Sequence, residues 1–268
     1  MLRILGYTII VMRLYLLVAF LFIFTITKAQ EYQVVGNESI DNSVTSNDYY
    51  RFKAKQLIIP GVLITAGIIG SGNDWIDAFN RDTRDKMQKN IDQKITIDNF
   101  SQFAPVVAMY TLDLCGVKGK HGIADQTILL GTAEIIQATF TSGMKYSWGI
   151  RRPDHTSNNS FPSGHTATAF MSAHLLAKEY GKQYPWIAVG GYVVATGTGF
   201  FRMYNNRHWT TDVICGAGIG MLSVEAAYWL YPNISRIIYP KRKKQDSTLM
   251  PFYQTDTKAV GVAGSLTF

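Results

Sequence analysis

"FPSGHTATAF", Phe161–Phe170, places a proline, a serine, a glycine and a histidine directly before an apolar run. Ser163 is a good N-cap, because its hydroxyl accepts from a backbone N–H that the first turn of a helix leaves unpaired. Thr166–Ala177 therefore reads as a helix. Gly164 lets backbone approach a ligand with no side chain in the way. The helix N-terminus adds free N–H groups and the positive end of a dipole, and together these bind phosphate. His165 then stands beside that phosphate as a proton donor. The plainer reading is a turn with a capping histidine, and the rest of the chain has to decide between them.

Five further apolar runs surround this one: Leu57–Gly70, Phe103–Val117, Ile128–Met144, Pro185–Phe201 and Val213–Leu230. None alternates with a period of two, so the pattern predicts an all-α bundle of about six core helices. Charged residues make up 17% of the 268, against roughly 25% in an ordinary soluble domain. The bundle is accordingly expected to be embedded in or associated with a membrane, although the mean hydropathy of +0.02 keeps that tilt mild. A span needs about 20 apolar residues, a length only the last two runs approach. Glu134 and Glu225 lie within apolar runs and must face the bundle interior.

Residues 1–29 carry Arg3 and Arg13 and then an uncharged stretch, and read as a signal peptide or an N-terminal anchor. Residues 30–50 read as a flexible lead, 51–235 as the helical domain and 236–268 as a basic tail containing "KRKK" at 241–244. Val260–Phe268 is small and apolar, either a short strand or a loose tail. Residues 73–100 read as an exposed loop with a short amphipathic helix. Cys115 and Cys215 both sit in apolar runs and are expected to be buried thiols rather than a disulfide.

The net charge of +7 points to an anionic partner. Its cations sit at helix ends rather than in an aromatic-laced strip, which argues against nucleic acid. His208 and Asp212 are four apart and share a helical face. A carboxylate there fixes the imidazole tautomer and leaves the other nitrogen as a nucleophile. At this spacing a His–Asp pair is a plain structural hydrogen bond more often than a catalytic device. Lys145, Arg152 and Arg202, each unremarkable alone, together suit a dianion whose charge grows on its equatorial oxygens in a transition state. No third ligand accompanies His208 and Asp212, so no metal is expected. His155 lies between the motifs and is a candidate for substrate contact. His174 reads as a packed histidine, and His121 fits no motif.

Lys145, Arg152-Pro153, Pro162-Ser163-Gly164-His165, then Arg202, His208 and Asp212 resemble the three-part signature of the type 2 phosphatidic acid phosphatase superfamily. That superfamily also holds bacterial acid phosphatases and vanadium haloperoxidases. The likeness covers Lys145 to Asp212, a quarter of the chain. It departs at Phe201, where the family has a serine, and in a short link from Pro153 to Pro162. The resemblance implies a phosphatase without metal or other cofactor. His208 would attack phosphorus, Asp212 would orient it, and His165 would protonate the leaving oxygen and then activate water. Lys145, Arg152, Ser163, Gly164 and Arg202 would hold the phosphate.

The substrate expected from the apolar helices is a phosphorylated lipid: lipid A, undecaprenyl pyrophosphate, phosphatidylglycerophosphate or phosphatidic acid. A soluble exported acid phosphatase is the alternative, and a vanadium haloperoxidase a distant third. Lys118, Lys120, Lys178, Lys182 and the "KRKK" cluster fall on the side opposite the motifs. By the positive-inside rule this places the active site on the periplasmic face of the inner membrane, with a soluble periplasmic protein as the alternative. The pair of histidines predicts a bell-shaped profile in the ordinary histidine range, roughly pH 5–7.5. The oligomeric state is not legible.

Overall fold

The structure is a computed structural model that describes residues 53–71, 74–89, 94–239, 247–254 and 259–266, the last two stretches as backbone. The expected leader and flexible lead, residues 1–50, lie outside the described residues, as does "KRKK". Eight α-helices follow a 3-10 turn at Ala54–Leu57: α1 Ile58–Gly70, α2 Asp74–Gln88, α3 Asp98–Ser101, α4 Ala104–Leu114, α5 Ile123–Trp148, α6 Gly164–Tyr180, α7 Pro185–Tyr204 and α8 Thr210–Ile238. The six apolar runs are α1, α4, α5, α6, α7 and α8. Two compact units are present, one ending at Tyr231 and one starting at Pro232 inside α8. The second holds an antiparallel hairpin, β1 Ser247–Gln254 with β2 Ala259–Leu266, in which Ser247 faces Leu266 and Gln254 faces Ala259. The tail therefore adds strands to an otherwise helical chain.

Local chemistry sets the helix ends near the motifs. Gly149 takes a left-handed φ of 56° and stops α5, its N–H returning to the Lys145 carbonyl. Ser163 is extended, and its hydroxyl accepts from Thr166 N to start α6, as expected. Pro185 opens α7 at a position where its missing N–H costs nothing.

The core between α6 and α8 depends on small residues. A Cβ on Gly220 would lie 2.2 Å from the Ala167 carbonyl oxygen, and one on Gly216 would lie 2.5 Å from that of Ser163. Helix α8 thus touches the backbone of α6 directly, in the manner of close small-residue helix pairs. On another face it meets α1, where a Gly67 Cβ would lie 2.5 Å from Cys215 Cβ. Cys215 is buried as expected, whereas Cys115, at the α4 C-terminus, is exposed; both are free thiols.

Helix α2 does more than the exposed loop expected of 73–100. It lies against the α7–α8 junction, with Asn80 Nδ2 donating to Thr211 Oγ1 (3.1 Å), Arg84 Nε to Asn206 Oδ1 (3.1 Å) and Gln88 Nε2 to the Tyr204 carbonyl (3.0 Å). Only α8 is by itself long and apolar enough, among the described residues, to cross a membrane, and 67% of its apolar window is buried. Apolar side chains are nevertheless exposed along several helices, including Ile59, Val107, Leu114, Ile135 and Val193.

Gly220→Ala is expected to cost about 1–3 kcal/mol through overpacking. Thermal unfolding reads this as a lower midpoint, with Gly190→Ala as control, since a Cβ there meets nothing within 4 Å. Equal midpoints would contradict the close α6–α8 contact.

Candidate functional site

Four helix ends converge on one pole of the bundle. Lys145 lies in the last turn of α5 and Arg202 in that of α7, while His165 opens α6 and Asp212 lies in the first turn of α8. Arg152 comes from the α5–α6 loop and His208 from the α7–α8 loop. Carbonyl ends of helices favour cations and amide ends favour anions, so each charge sits where its helix stabilises it.

The loops are tied across the motifs. Ser163 N donates to the Asp212 carbonyl (3.0 Å), and Ser160 Oγ donates to Asp212 Oδ2 (2.5 Å). Trp209 N donates to the same Oδ2 (2.8 Å), so Asp212 is fixed before it meets the imidazole. His208 Nδ1 stands 3.4 Å from that oxygen, close enough for an ion pair and long for a hydrogen bond. Lys145 Nζ donates to the Asn159 carbonyl (2.6 Å). Arg202 is buried and pairs through Nη1 with Asp98 Oδ2 (2.6 Å), and Asp98 also accepts from Asn205 Nδ2 (3.0 Å). His165 Nε2 lies 3.2 Å from Asn99 Oδ1.

All the expected site residues are therefore brought to one place, with two details to add. Ser163 is fully buried, its N bonded to Asp212 and its hydroxyl 2.9 Å from Thr166 Oγ1. Its hydroxyl thus serves the helix cap. At Gly164 a Cβ would meet only Thr141 Cγ2, at 3.8 Å, so packing does not demand glycine there. The expected serine before Arg202 is Phe201, which stacks edge-on against Phe200 and Tyr204.

Asp98, Asn99 and Ser160 were not legible as site residues. The remaining histidines lie elsewhere. His121 bonds Glu179 (2.7 Å) and His174 bonds Glu225 (2.8 Å). His155 is exposed in the α5–α6 loop, with a positive φ of 60°.

The electrostatics run against protonation. Burial, then Arg202, His208, Arg152 and Lys145, pull His165 down to about 3. Burial pulls His208 down to about 4, against the opposing pull of Asp212 and with help from Arg202 and Lys145. Burial and the neighbouring arginines bring Lys145 down to about 8. Both histidines thus lie below the ordinary range expected from the sequence, first because they are desolvated and second because cations crowd them. Four of the eight buried side-chain atoms left without a hydrogen bond are here: Arg152 Nε, Arg202 Nε, His208 Nδ1 and Asp212 Oδ1. Buried polar atoms are otherwise almost always satisfied.

Residues 126–236 match the model of the PAP2 superfamily. The chain is 44% identical over 160 residues to the lipid A 1-phosphatase of Porphyromonas gingivalis, a match covering 57% of this chain and 36% of that protein. It is 34% identical over 84 residues to the bacitracin transport permease protein BcrC of Bacillus licheniformis, covering 31% of this chain and 39% of that one. It therefore spans well under half the length of these curated relatives. Among solved structures it is similar to Aquifex aeolicus LpxE, with a TM-score of 0.39 and 22% identity over 51% of this chain and 87% of that one. It is also similar to the first transmembrane PAP2 type phosphatidylglycerolphosphate phosphatase from Bacillus subtilis, with a TM-score of 0.46 and 20% identity over 69% and 99%. The three motifs, Lys145 to Asp212, all lie within the 126–236 stretch that matches the PAP2 superfamily model.

Proposed function

We propose that the chain is a membrane lipid phosphatase that hydrolyses a phosphate monoester or pyrophosphate through a phosphohistidine on His208. The observation that carries this reading is the cluster of buried, unsatisfied cationic and imidazole atoms at one pole. A phosphate dianion satisfies Arg152 Nε and Arg202 Nε and offsets the cation repulsion that adds to burial in keeping both histidines neutral. Lys145 adds a third charge, and the α6 N-terminus adds backbone N–H groups that Gly164 leaves open to close approach.

His208, neutral at ordinary pH and with Nδ1 facing Asp212 at 3.4 Å, attacks phosphorus through Nε2. The bond from phosphorus to the leaving oxygen breaks as His165 gives that oxygen a proton. His165, now neutral, takes a proton from water as the water attacks phosphorus. The P–N bond breaks, and His208 and free phosphate are restored. Protonation of His165 comes with the substrate, since a dianion reverses the sign of the field around it. Asn99 positions His165, and Asp98 holds Arg202 in place.

The relative named for lipid A and the exposed apolar helix faces support a lipid substrate. Lys118, Lys120, Lys178 and Lys182 lie at the turns opposite the site. The positive-inside rule then supports a periplasmic active site in the inner membrane.

Purified protein with EDTA present is expected to release phosphate from lipid A 1-phosphate or another lipid phosphate in detergent faster than from soluble phosphomonoesters. His208→Ala should lose at least about 10³-fold in kcat, as expected when a nucleophile is removed. Faster turnover of soluble esters would favour a general acid phosphatase, and chelation that abolishes turnover would refute the proposed roles.

The pH profile carries a second test. In the free enzyme burial and the neighbouring cations hold both histidines below the ordinary range, and a bound dianion is expected to raise both. The optimum of kcat/KM, which reports the free enzyme, is thus expected on the acid side of the optimum of kcat. Coincident optima would contradict this coupling.

A further inference from the structure

Helix α4 presents an apolar face that stays exposed among the described residues. Ala104, Val107, Ala108, Thr111 and Leu112 fall at the spacing of one helical stripe. With Phe100 of α3 and Ile187 of the first turn of α7 they line an open groove of about 660 Å³. Phe100 is 77% exposed and Val107 60%, values that set this face apart from the packed core. The one polar group, the Thr111 hydroxyl, donates to the Val107 carbonyl within its own helix (2.8 Å). The groove therefore offers an occupant no hydrogen-bond partner. A peptide strand laid there would leave its backbone unsatisfied, whereas a hydrocarbon chain loses nothing.

The groove starts at the site. Phe100 directly follows Asp98 and Asn99, which contact Arg202 and His165. Ser101 Oγ lies 2.8 Å from Thr198 Oγ1, toward the C-terminal end of α7, and Ile187 lies near the α7 N-terminus. The lining thus runs from the site pole toward the opposite one. From Ala104 to Leu112 the helical rise gives a length of about 12 Å, which Phe100 extends toward the site. One leaflet of a bilayer is about 15 Å deep, half of a ~30 Å hydrocarbon core.

We infer that this groove seats one acyl chain of the substrate and acts as a ruler for its length. The inference rests on the lipid phosphatase reading and adds to it the surface that recognises the tail. A phosphate held at the site pole then has its chain laid along α4, and selectivity for lipid over soluble esters comes from this face as well as from the cations.

The test uses the full chain in detergent and phosphatidic acids with hexanoyl, decanoyl and palmitoyl chains, beside a soluble phosphomonoester. In the wild type, kcat/KM should rise with chain length, by up to about fourfold per methylene, until the groove is filled. Ala108→Trp, at an exposed position midway along the groove, should lower kcat/KM for the palmitoyl lipid at least tenfold and bring it level with the decanoyl lipid. Turnover of the soluble ester should not change. Ala104→Trp, nearer the site, should flatten the whole series. Val193→Trp, exposed on α7 outside the lining, should change nothing. An unaltered length series in both groove variants overturns the inference, as does an equal loss on lipid and soluble ester. So does a wild type that cleaves the soluble ester and none of these lipids, while the phosphatase reading stands. No phosphate release from any substrate would sink that reading too.

Discussion

Lys145, Arg152 and Arg202 are gathered around the buried His208 and the half-buried His165, and the rest of the bundle has to withstand their mutual repulsion. Asp98 and Asp212 compensate part of the charge, and burial prevents water from screening the remainder. Helix geometry supplies another part, since Lys145 and Arg202 end helices at their carbonyl poles while α6 presents its amide pole to the same space. The direct backbone contact between α6 and α8, made possible by Gly216 and Gly220, keeps the Ser163 loop against Asp212. The short polar bonds around Asp212 then fix the orientation of His208.

The opposite pole is built in another way. Glu179 is buried and accepts from the His121 backbone and from Tyr228, clamping the α4–α5 turn to the end of α6. Glu225 accepts from Lys178 (2.5 Å) and lies beside His174, whose other ring nitrogen is 2.5 Å from the Tyr192 hydroxyl. These carboxylates are matched by partners, as buried charges must be. Among the described residues, the site pole is where the buried nitrogens Arg152 Nε and Arg202 Nε are left without hydrogen bonds, and the proposed dianion rests on that asymmetry.

Much of the site was legible because each residue type has a narrow job. A capping serine, an open glycine, forked cations and a His–Asp pair appear in order within a quarter of the chain, and their helix-end positions follow from the apolar runs between them. Asp98 was hidden because its partner Arg202 lies more than a hundred residues away. A four-residue helix inside a polar segment carries no periodic signal. Asn99 and Ser160 were missed for the same reason, since only tertiary contact gives them a role. The brace formed by α2 was invisible because amphipathic patterning says that a helix has a packed face, not what it packs on. Cys115 was misplaced because an apolar run need not be buried at its end. The downward shift of both histidines was hidden because a sequence shows neither desolvation nor the cations brought in from other helices.

The central claim is that His208 carries the phosphoryl group in turn. The most direct measurement is to quench turnover of a phosphate substrate within milliseconds under alkaline conditions, which preserve phosphohistidine, and to locate the modification by peptide mass spectrometry. The account predicts a phosphoryl group on His208, none in His208→Ala, and accumulation when His165→Ala slows hydrolysis of the intermediate. A phosphoryl group on another residue, or turnover with no covalent intermediate at any quench time, would contradict it.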